Sequence, residues 1–188
     1  MITQNIENIL EELEQTQHDF WNVSRETANF LNMLVKMTNR KNVLEIGTSN
    51  GYSGIWLGLA LKETNGKLNT IEFWDNRLSL AKENFKKCEI DNIITTNLGS
   101  ALEIIPQLIQ KEKFDMVFID ANKSEYVKYF DLLDTTLDFG AIIVADNVLS
   151  HAEKVKPFID TIKNDSNYQT EILNLPAGLS VSYKIKKN

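Results

Sequence analysis

From residue 42 onwards, short apolar runs alternate with longer amphipathic segments, and this alternation constrains the fold more than any other feature. Apolar runs bounded by turn residues predict strands, whereas apolar residues three and four positions apart predict helices. The predicted strands span residues 42–46, 67–73, 92–98, 114–120, 140–147, 168–175 and 179–186. The predicted helices span residues 4–18, 24–37, 51–63, 75–88, 101–112, 124–137 and 154–165.

Strands that alternate with helices predict an α/β, Rossmann-like, doubly wound sheet that is mostly parallel and has helices on both faces. The last two of the seven strands are joined by a Pro-Ala-Gly turn without a helix, which predicts one antiparallel strand in the edge region. We find no linker or repeat and therefore expect a single domain over residues 1–188. Its parts are N-terminal helices in residues 1–40 and a core in residues 41–188.

Composition limits the classes of partner. The net charge of −6 disfavours a nucleic acid as the main partner, because the sole basic cluster is the tail YKIKKN. The lone Cys88 excludes an internal disulfide and a cysteine-based zinc cage. No apolar run approaches the roughly 20 residues of a membrane helix, and the acidic N-terminus is atypical of a signal peptide. We expect a cytoplasmic protein with a small-molecule substrate and no membrane contact.

The ends of the five predicted parallel strands are rich in carboxylates. In such sheets, ligands bind beyond the carboxyl ends of the strands. The residues at these ends are 45–47, 72–75, 99–101, 120–123 and 146–147, and four of the five groups contain Asp or Glu. We therefore expect an electronegative binding site at this edge.

The first strand runs into a glycine loop, VLEIGTSNGYSGIWLG, with glycines at positions 47, 51 and 54. Ser49 stands where the dinucleotide fingerprint G-x-G-x-x-G has its second glycine, which disfavours a pyrophosphate. Glu72 ends the second strand, where an acidic side chain accepts hydrogen bonds from ribose hydroxyls. The pattern predicts a ribose-containing ligand, although the glycines alone are also compatible with a tight strand–helix turn.

The glycine loop resembles the first motif of S-adenosylmethionine-dependent O-methyltransferases, in particular the metal-dependent catechol and caffeoyl-CoA type. Their pattern is strand-Glu-x-Gly-Thr-x-x-Gly-Tyr-Ser, and the resemblance extends from FWNVSRETANFL to the C-terminus. It implies a class I methyltransferase fold, a homodimer, and S-adenosylmethionine as cofactor with S-adenosylhomocysteine as product. It also implies that the N-terminal helices cover the cofactor and substrate site. The positive sulfonium agrees with an electronegative rim.

The resemblance also implies the residues that bind the cofactor. These are Asn22, Val23, Glu45, Gly47, Tyr52, Ser53, Glu72, Phe73, Ser100, Ala101 and Asp120. Within this set, Asn22, Val23 and Ser53 would surround the methionine carboxylate, Glu72 would hold the ribose diol, Phe73 would flank the adenine, and Ser100 with Ala101 would contact its edge.

The fourth and fifth strands end in a candidate metal site. Asp120, Asp146 and Asn147 offer hard oxygen ligands, which suit Mg²⁺, Ca²⁺ or Mn²⁺ and not zinc. The same residue types are also common in ordinary loops, but the family's metal motifs match these positions. Lys123 follows Asp120 by three residues, and a nearby divalent cation would disfavour its charged form. By resemblance, Lys123 is the catalytic base.

The acceptor half of the pattern departs from the family. Ala177 and Ser180 occupy positions where relatives carry an aspartate and, in catechol enzymes, a glutamate; Asn122 replaces an aromatic gatekeeper. We expect Mg²⁺-assisted methyl transfer to a hydroxyl of a small ortho-dihydroxy aromatic, catechol-like or caffeoyl-type. The alternatives are a tRNA hydroxyuridine O-methyltransferase and a non-catalytic S-adenosylmethionine-binding module. A nicotinamide dehydrogenase is disfavoured by Ser49 and by the metal residues.

Overall fold

The computed structural model describes residues 2–186, which form helices packed on both sides of a seven-stranded sheet. The helices are α1 (Gln4–Gln15), α2 (Gln17–Phe20), α3 (Arg25–Met37), α4 (Tyr52–Thr64), α5 (Asp75–Lys87), α6 (Ala101–Leu108), α7 (Tyr126–Asp134) and α8 (Ala152–Asn164). The strands are β1 (Asn42–Ile46), β2 (Lys67–Glu72), β3 (Ile94–Leu98), β4 (Met116–Ile119), β5 (Ile142–Ala145), β6 (Tyr168–Leu173) and β7 (Leu179–Lys184).

The sheet has the order β3-β2-β1-β4-β5-β7-β6, which confirms the predicted doubly wound fold. Strands β1 to β5 are mutually parallel, and β7 is antiparallel to both of its neighbours, β5 and β6. The predicted antiparallel strand is therefore β7, one position inside the edge. Strand order reverses beside β1, so the helices that follow β1 and β4 lie on opposite faces of the sheet. A crevice therefore forms between the carboxyl ends of these two strands.

Successive residues of each central strand enter opposite layers, as the pleat requires. Val43 and Phe118 pack in the layer of α3 and α4, whereas Leu44 and Val117 pack in the layer of α6, α7 and α8. Every residue from Tyr52 to Leu61 is buried, because α4 is covered by the sheet on one side and by α3 on the other.

Helix boundaries differ from the predictions at a few points. The predicted helix over residues 4–18 is interrupted at Thr16, which separates α1 from α2. A 3₁₀ turn at Lys123–Glu125 precedes α7 and directs the chain from β4 into that helix. The predicted N-cap of α3 is confirmed, since Ser24 Oγ accepts a hydrogen bond from the Thr27 N–H at 3.1 Å. Within residues 2–186, no helix is long and apolar enough to cross a membrane.

Candidate cofactor and metal site

A cavity of about 490 Å³ opens at the carboxyl ends of β1, β2 and β4, and Phe20 to Val23 form part of its wall. This volume lies in the range of small-molecule sites. Most of the sequence-predicted residues line it together: Asn22, Val23, Gly47, Ser53, Glu72, Phe73, Ser100, Ala101, Asp120 and Lys123. The fold thus gathers residues that are a hundred positions apart in the chain.

Gly47 is required by the close approach of two strand ends. Its φ is +105°, and a Cβ at this position would lie 2.1 Å from the backbone oxygen of Asp120. A side chain there would push β1 away from β4 and close the cavity floor. Ser49 also has a positive φ, +49°, so the loop bends at the position where the dinucleotide fingerprint has glycine.

Glu72 is held as a hydrogen-bond acceptor at the edge of the cavity. Its Oε2 accepts from the Ser49 N–H at 2.8 Å, and its Oε1 accepts from the Trp74 N–H at 2.9 Å. The residue is 7 % exposed, so these bonds fix the carboxylate in place. Each carboxylate oxygen keeps further acceptor capacity, which is suited to a pair of ligand hydroxyls.

Two predicted cofactor residues, Glu45 and Tyr52, do not line the cavity. Glu45 is fully buried and reaches the wall only through Ser53, whose Oγ donates to Glu45 Oε1 at 2.6 Å. Burial raises the pKa of Glu45 to about 7, against the lowering effect of hydrogen bonds from Ser53 and Thr70. The Tyr52 hydroxyl points to the N-terminal helices and donates to Glu14 Oε1 at 2.5 Å.

Asp120 and Asp146 are neighbours on adjacent strands, because Ile119 is in register with Ala145 and each aspartate follows directly. Asp146 is buried, and its Oδ1 has no hydrogen-bond partner among residues 2–186. Burial raises the pKa of Asp146, and the negative charge of Asp120 raises it further. A buried, unpaired acceptor beside a second carboxylate is the chemistry that a bound cation compensates.

Asn147 completes the predicted ligand set. It follows Asp146 with a φ of +64°, and its Nδ2 donates to Ser150 Oγ at 3.3 Å. Asp146 and Asn147 lie beside the cavity and outside its lining. No group of three or more His, Cys, Asp or Glu side chains suited to a metal occurs among residues 2–186; the predicted set has two carboxylates and an amide.

Lys123 and Asp120 form an ion pair inside the cavity. The distance from Lys123 Nζ to Asp120 Oδ1 is 2.8 Å, and both side chains are mostly shielded from solvent. The 3₁₀ turn that starts at Lys123 produces this i,i+3 contact. Asn122, which caps the turn by accepting from the Ser124 N–H at 3.3 Å, also lines the cavity, whereas Ala177 and Ser180 do not.

The cavity mouth has an aromatic rim, of which only Phe73 was predicted. It consists of Phe20, Trp21, Phe73 and Trp74, of which the last three are more than half exposed. Arg77 joins them, with its guanidinium carbon 4.5 Å from the centroid of a Trp21 ring. The signal in the sequence was the dipeptide Phe-Trp, which occurs twice, directly before Asn22 and directly after Glu72.

Glu125 and Tyr129 also line the cavity and were not predicted as site residues. The Tyr129 hydroxyl donates to Glu125 Oε2 at 2.6 Å. Their i,i+4 spacing was visible in the sequence, but ordinary helix packing explains such a pair equally well.

Comparison with known proteins agrees with this geometry. A profile of the O-methyltransferase family matches residues 2–181. The chain belongs to the O-methyltransferase family. It is 38% identical to a catechol O-methyltransferase of Niastella koreensis over 129 residues, which are 68% of this chain and 58% of that protein. It therefore spans less than two thirds of that relative. The family predicted from the sequence is confirmed.

Two further comparisons cover larger parts of both aligned proteins. The chain is 31% identical to a caffeoyl-CoA O-methyltransferase of Zinnia elegans, with 88% of this chain and 71% of the relative aligned. The structure of the O-methyltransferase TomG of Streptomyces achromogenes, solved with S-adenosylmethionine, superposes with a TM-score of 0.86 and 27% identity. That superposition covers 95% of this chain and 90% of the neighbour.

Proposed function

We propose that this member of the O-methyltransferase family transfers a methyl group from S-adenosylmethionine to one hydroxyl of a small ortho-dihydroxy aromatic acceptor, assisted by a divalent cation. The main support for the proposal is that a single cavity contains two regions with different chemical groups. In one region, Glu72 presents fixed acceptor oxygens. In the other, Asp120 is paired with Lys123 and adjoins the unpaired, buried carboxylate of Asp146.

The nucleoside region fits the cofactor. Glu72 would accept hydrogen bonds from the two ribose hydroxyls, while Phe73 and the turn at Ser100 would enclose the adenine. Asn22 and Ser53 line the region where the methionine group would lie. The Streptomyces neighbour, solved with S-adenosylmethionine, supports this assignment. When bound, the cofactor supplies an electrophilic methyl group on a positively charged sulfur.

The metal region fits a hard divalent cation. Asp120, Asp146 and Asn147 would hold it, and the unpartnered Oδ1 of Asp146 supports this assignment because a cation would satisfy it. A cation there would supply the positive charge that stabilises an acceptor oxyanion.

Lys123 would remove the proton from the acceptor hydroxyl. Its Nζ lies in the cavity, 2.8 Å from Asp120 Oδ1, which orients it. Proton removal requires a neutral amine, and a cation held by Asp120 disfavours the charged form of a nearby lysine. The remaining contribution of the protein is to align the deprotonated oxygen with the methyl donor and to exclude water.

The acceptor itself is the least constrained part of the proposal. Ala177 and Ser180, at the positions of the family's acceptor acids, carry no carboxylate and lie outside the cavity lining, so they would not bind a second hydroxyl of the acceptor. The aromatic rim favours a planar acceptor, because Trp21 and Trp74 are more than half exposed at the mouth. The net charge of −6 counts against a polyanionic acceptor such as tRNA.

A methyl-transfer screen tests the proposal. Purified protein and labelled S-adenosylmethionine would be incubated with catechol, a caffeoyl thioester or undermethylated tRNA, with Mg²⁺ or with EDTA. We expect Mg²⁺-dependent labelling of one of the two dihydroxy aromatics. Labelling of tRNA would favour the RNA alternative, and cofactor binding without any transfer would favour a binding module. In equilibrium binding, S-adenosylmethionine should rank far above NAD; the reverse order would contradict the cofactor assignment.

Two other expectations stay predictions: a homodimer, from the family resemblance, and a cytoplasmic location, from the composition of the sequence. Light scattering coupled to size-exclusion chromatography measures the first. Fractionation of the source cells followed by detection with a specific antibody measures the second.

A further inference from the structure

We propose that Glu125 is a specificity-determining residue for the nucleobase, and that its carboxylate accepts a hydrogen bond from the exocyclic amine of adenine. The inference rests on the proposed function, because it requires S-adenosylmethionine in the cavity. It adds a base-recognition role to a residue for which the family resemblance implied none.

The walls of the cavity determine where the base would lie. Glu72, at the end of β2, would hold the ribose, so the base would lie beyond it towards the β3 edge of the sheet. The cavity lining includes Phe73, the turn at residues 99–101, Glu125 and Tyr129. The helices α6 and α7 share one hydrophobic layer, which brings Tyr129 to the side of the cavity where the turn at residues 99–101 leads into α6.

The side chain of Glu125 is fixed as an acceptor. Tyr129 is 2 % exposed, and its hydroxyl donates to Glu125 Oε2 at 2.6 Å. Burial and then the Glu125 carboxylate raise the pKa of Tyr129, so the phenol stays protonated and keeps donating. Within residues 2–186, Oε1 of Glu125 has no hydrogen-bond partner and remains available to a ligand.

A capping role does not account for this arrangement. Glu125 is the N-cap residue of α7, yet its side chain accepts no capping hydrogen bond from the helix backbone. It is turned instead onto Tyr129, one helical turn further, and into the cavity. A carboxylate can only accept hydrogen bonds, so it distinguishes an amine on the base from a hydrogen or a carbonyl at the same carbon.

The test compares two ligands that differ in one group. Isothermal titration would measure binding of S-adenosylhomocysteine and of its 6-deamino analogue, in which hydrogen replaces the amine. We expect the wild-type protein to prefer S-adenosylhomocysteine by on the order of 10-fold or more, as for a hydrogen bond to a charged group. In Glu125→Ala the preference should fall below about 3-fold, through weaker binding of S-adenosylhomocysteine alone.

Three further variants separate recognition from general damage. Glu125→Gln keeps an acceptor oxygen and should retain part of the preference for S-adenosylhomocysteine. Tyr129→Phe keeps the Glu125 carboxylate but removes the hydrogen bond that fixes it, so its preference should lie between those of the wild-type protein and Glu125→Ala. Glu103→Ala removes a carboxylate from an exposed position of α6 and should leave the preference unchanged. Circular dichroism would confirm that each variant folds. If Glu125→Ala does not fold, the reduced preference expected in Glu125→Gln is the test.

The outcomes distinguish this inference from the function on which it rests. A preference that stays at its full wild-type size in Glu125→Ala and in Glu125→Gln would overturn the base-recognition role while leaving the cofactor assignment intact. A wild-type protein that binds both ligands equally would also overturn it. Binding of neither ligand by the wild-type protein would overturn the proposed function as well.

Discussion

The backbone N–H of Ser49 donates a hydrogen bond of 2.8 Å to Glu72 Oε2, and this bond ties the glycine loop after β1 to the end of β2. The residue that departs from the dinucleotide fingerprint thus orients the carboxylate that would hold the ribose. Loop and carboxylate form one unit, in which a change to either alters both.

Replacement of Glu72 by alanine should therefore weaken cofactor binding. The variant loses the acceptor for the ribose hydroxyls and releases the N–H groups of Ser49 and Trp74. We expect at least about a 10-fold loss of affinity for S-adenosylhomocysteine, since hydrogen bonds to charged groups contribute about 1.5–3 kcal/mol each. Titration calorimetry measures the change. Asp75→Ala removes an exposed acid nearby and serves as the control; an equal loss there would contradict a specific role for Glu72.

Gly47→Ala should destabilise the fold more than Gly140→Ala. Both glycines have positive φ values, +105° and +88°, so both substitutions incur backbone strain of about 1–3 kcal/mol. At Gly47 the new Cβ would also overlap the Asp120 oxygen at 2.1 Å, whereas at Gly140 the nearest atom is the Tyr183 hydroxyl at 3.5 Å. We expect the difference in the free energy of unfolding to exceed about 2 kcal/mol by urea denaturation. Equal losses would show that the β1–β4 contact tolerates a side chain.

The stability of the protein without cofactor should depend on pH through Glu45. Its pKa is raised by burial from 4.5 to about 7, so the folded state binds more protons than the unfolded state between these values. The contribution of Glu45 to stability therefore falls as pH rises from about 4.5 to about 7.

Glu45→Gln removes this titration. As the pH rises from about 4.5 to about 8, the unfolding free energy of the variant minus that of the wild-type protein should increase by on the order of 3 kcal/mol. Urea denaturation at several pH values measures the gain. A constant difference between the two proteins across this range would show that Glu45 does not titrate there.

Tyr52→Phe should loosen the N-terminal helices. The Tyr52 hydroxyl donates to Glu14 Oε1 at 2.5 Å, and Arg25 holds the same carboxylate at 2.8 Å. Loss of one partly buried hydrogen bond should reduce stability by about 1–2 kcal/mol and increase amide exchange in α1. Tyr183→Phe, at a partly exposed position of β7, should leave exchange in α1 unchanged. Unaltered α1 protection in Tyr52→Phe would mean that the Tyr52–Glu14 hydrogen bond does not hold α1 in place.

Sequence periodicity was sufficient to predict the sheet and the edge of the sheet at which the candidate site lies. Asp120, Asp146 and Asn147 could be placed together because the carboxyl ends of parallel strands meet at one edge, whatever their separation in the chain. Ser24 could be placed at a helix start from its side chain alone. These inferences needed only local patterns and the rules of parallel sheets.

The rest of the site depends on tertiary contacts that no local pattern encodes. Glu45 was expected at the cofactor, but the pleat turns its side chain under the loop, where Ser53 intervenes. Arg77 and Trp21 meet only because α2 and α5 approach each other at the cavity mouth. Glu125 lines the cavity from a 3₁₀ turn that precedes α7, where the sequence predicted a continuous helix from residue 124.

Methyl transfer by Asp146→Ala is the most direct measurement of the central claim, that one cavity combines a cofactor region with a divalent-cation region. Labelled transfer to the best acceptor from the screen and S-adenosylhomocysteine affinity would be measured for this variant, for the wild-type protein and for Asp160→Ala, which alters an exposed ion pair on α8. We predict that Asp146→Ala loses Mg²⁺-stimulated transfer while its cofactor affinity stays within a few-fold, and that Asp160→Ala matches the wild type. Undiminished, Mg²⁺-stimulated transfer by Asp146→Ala would contradict the account.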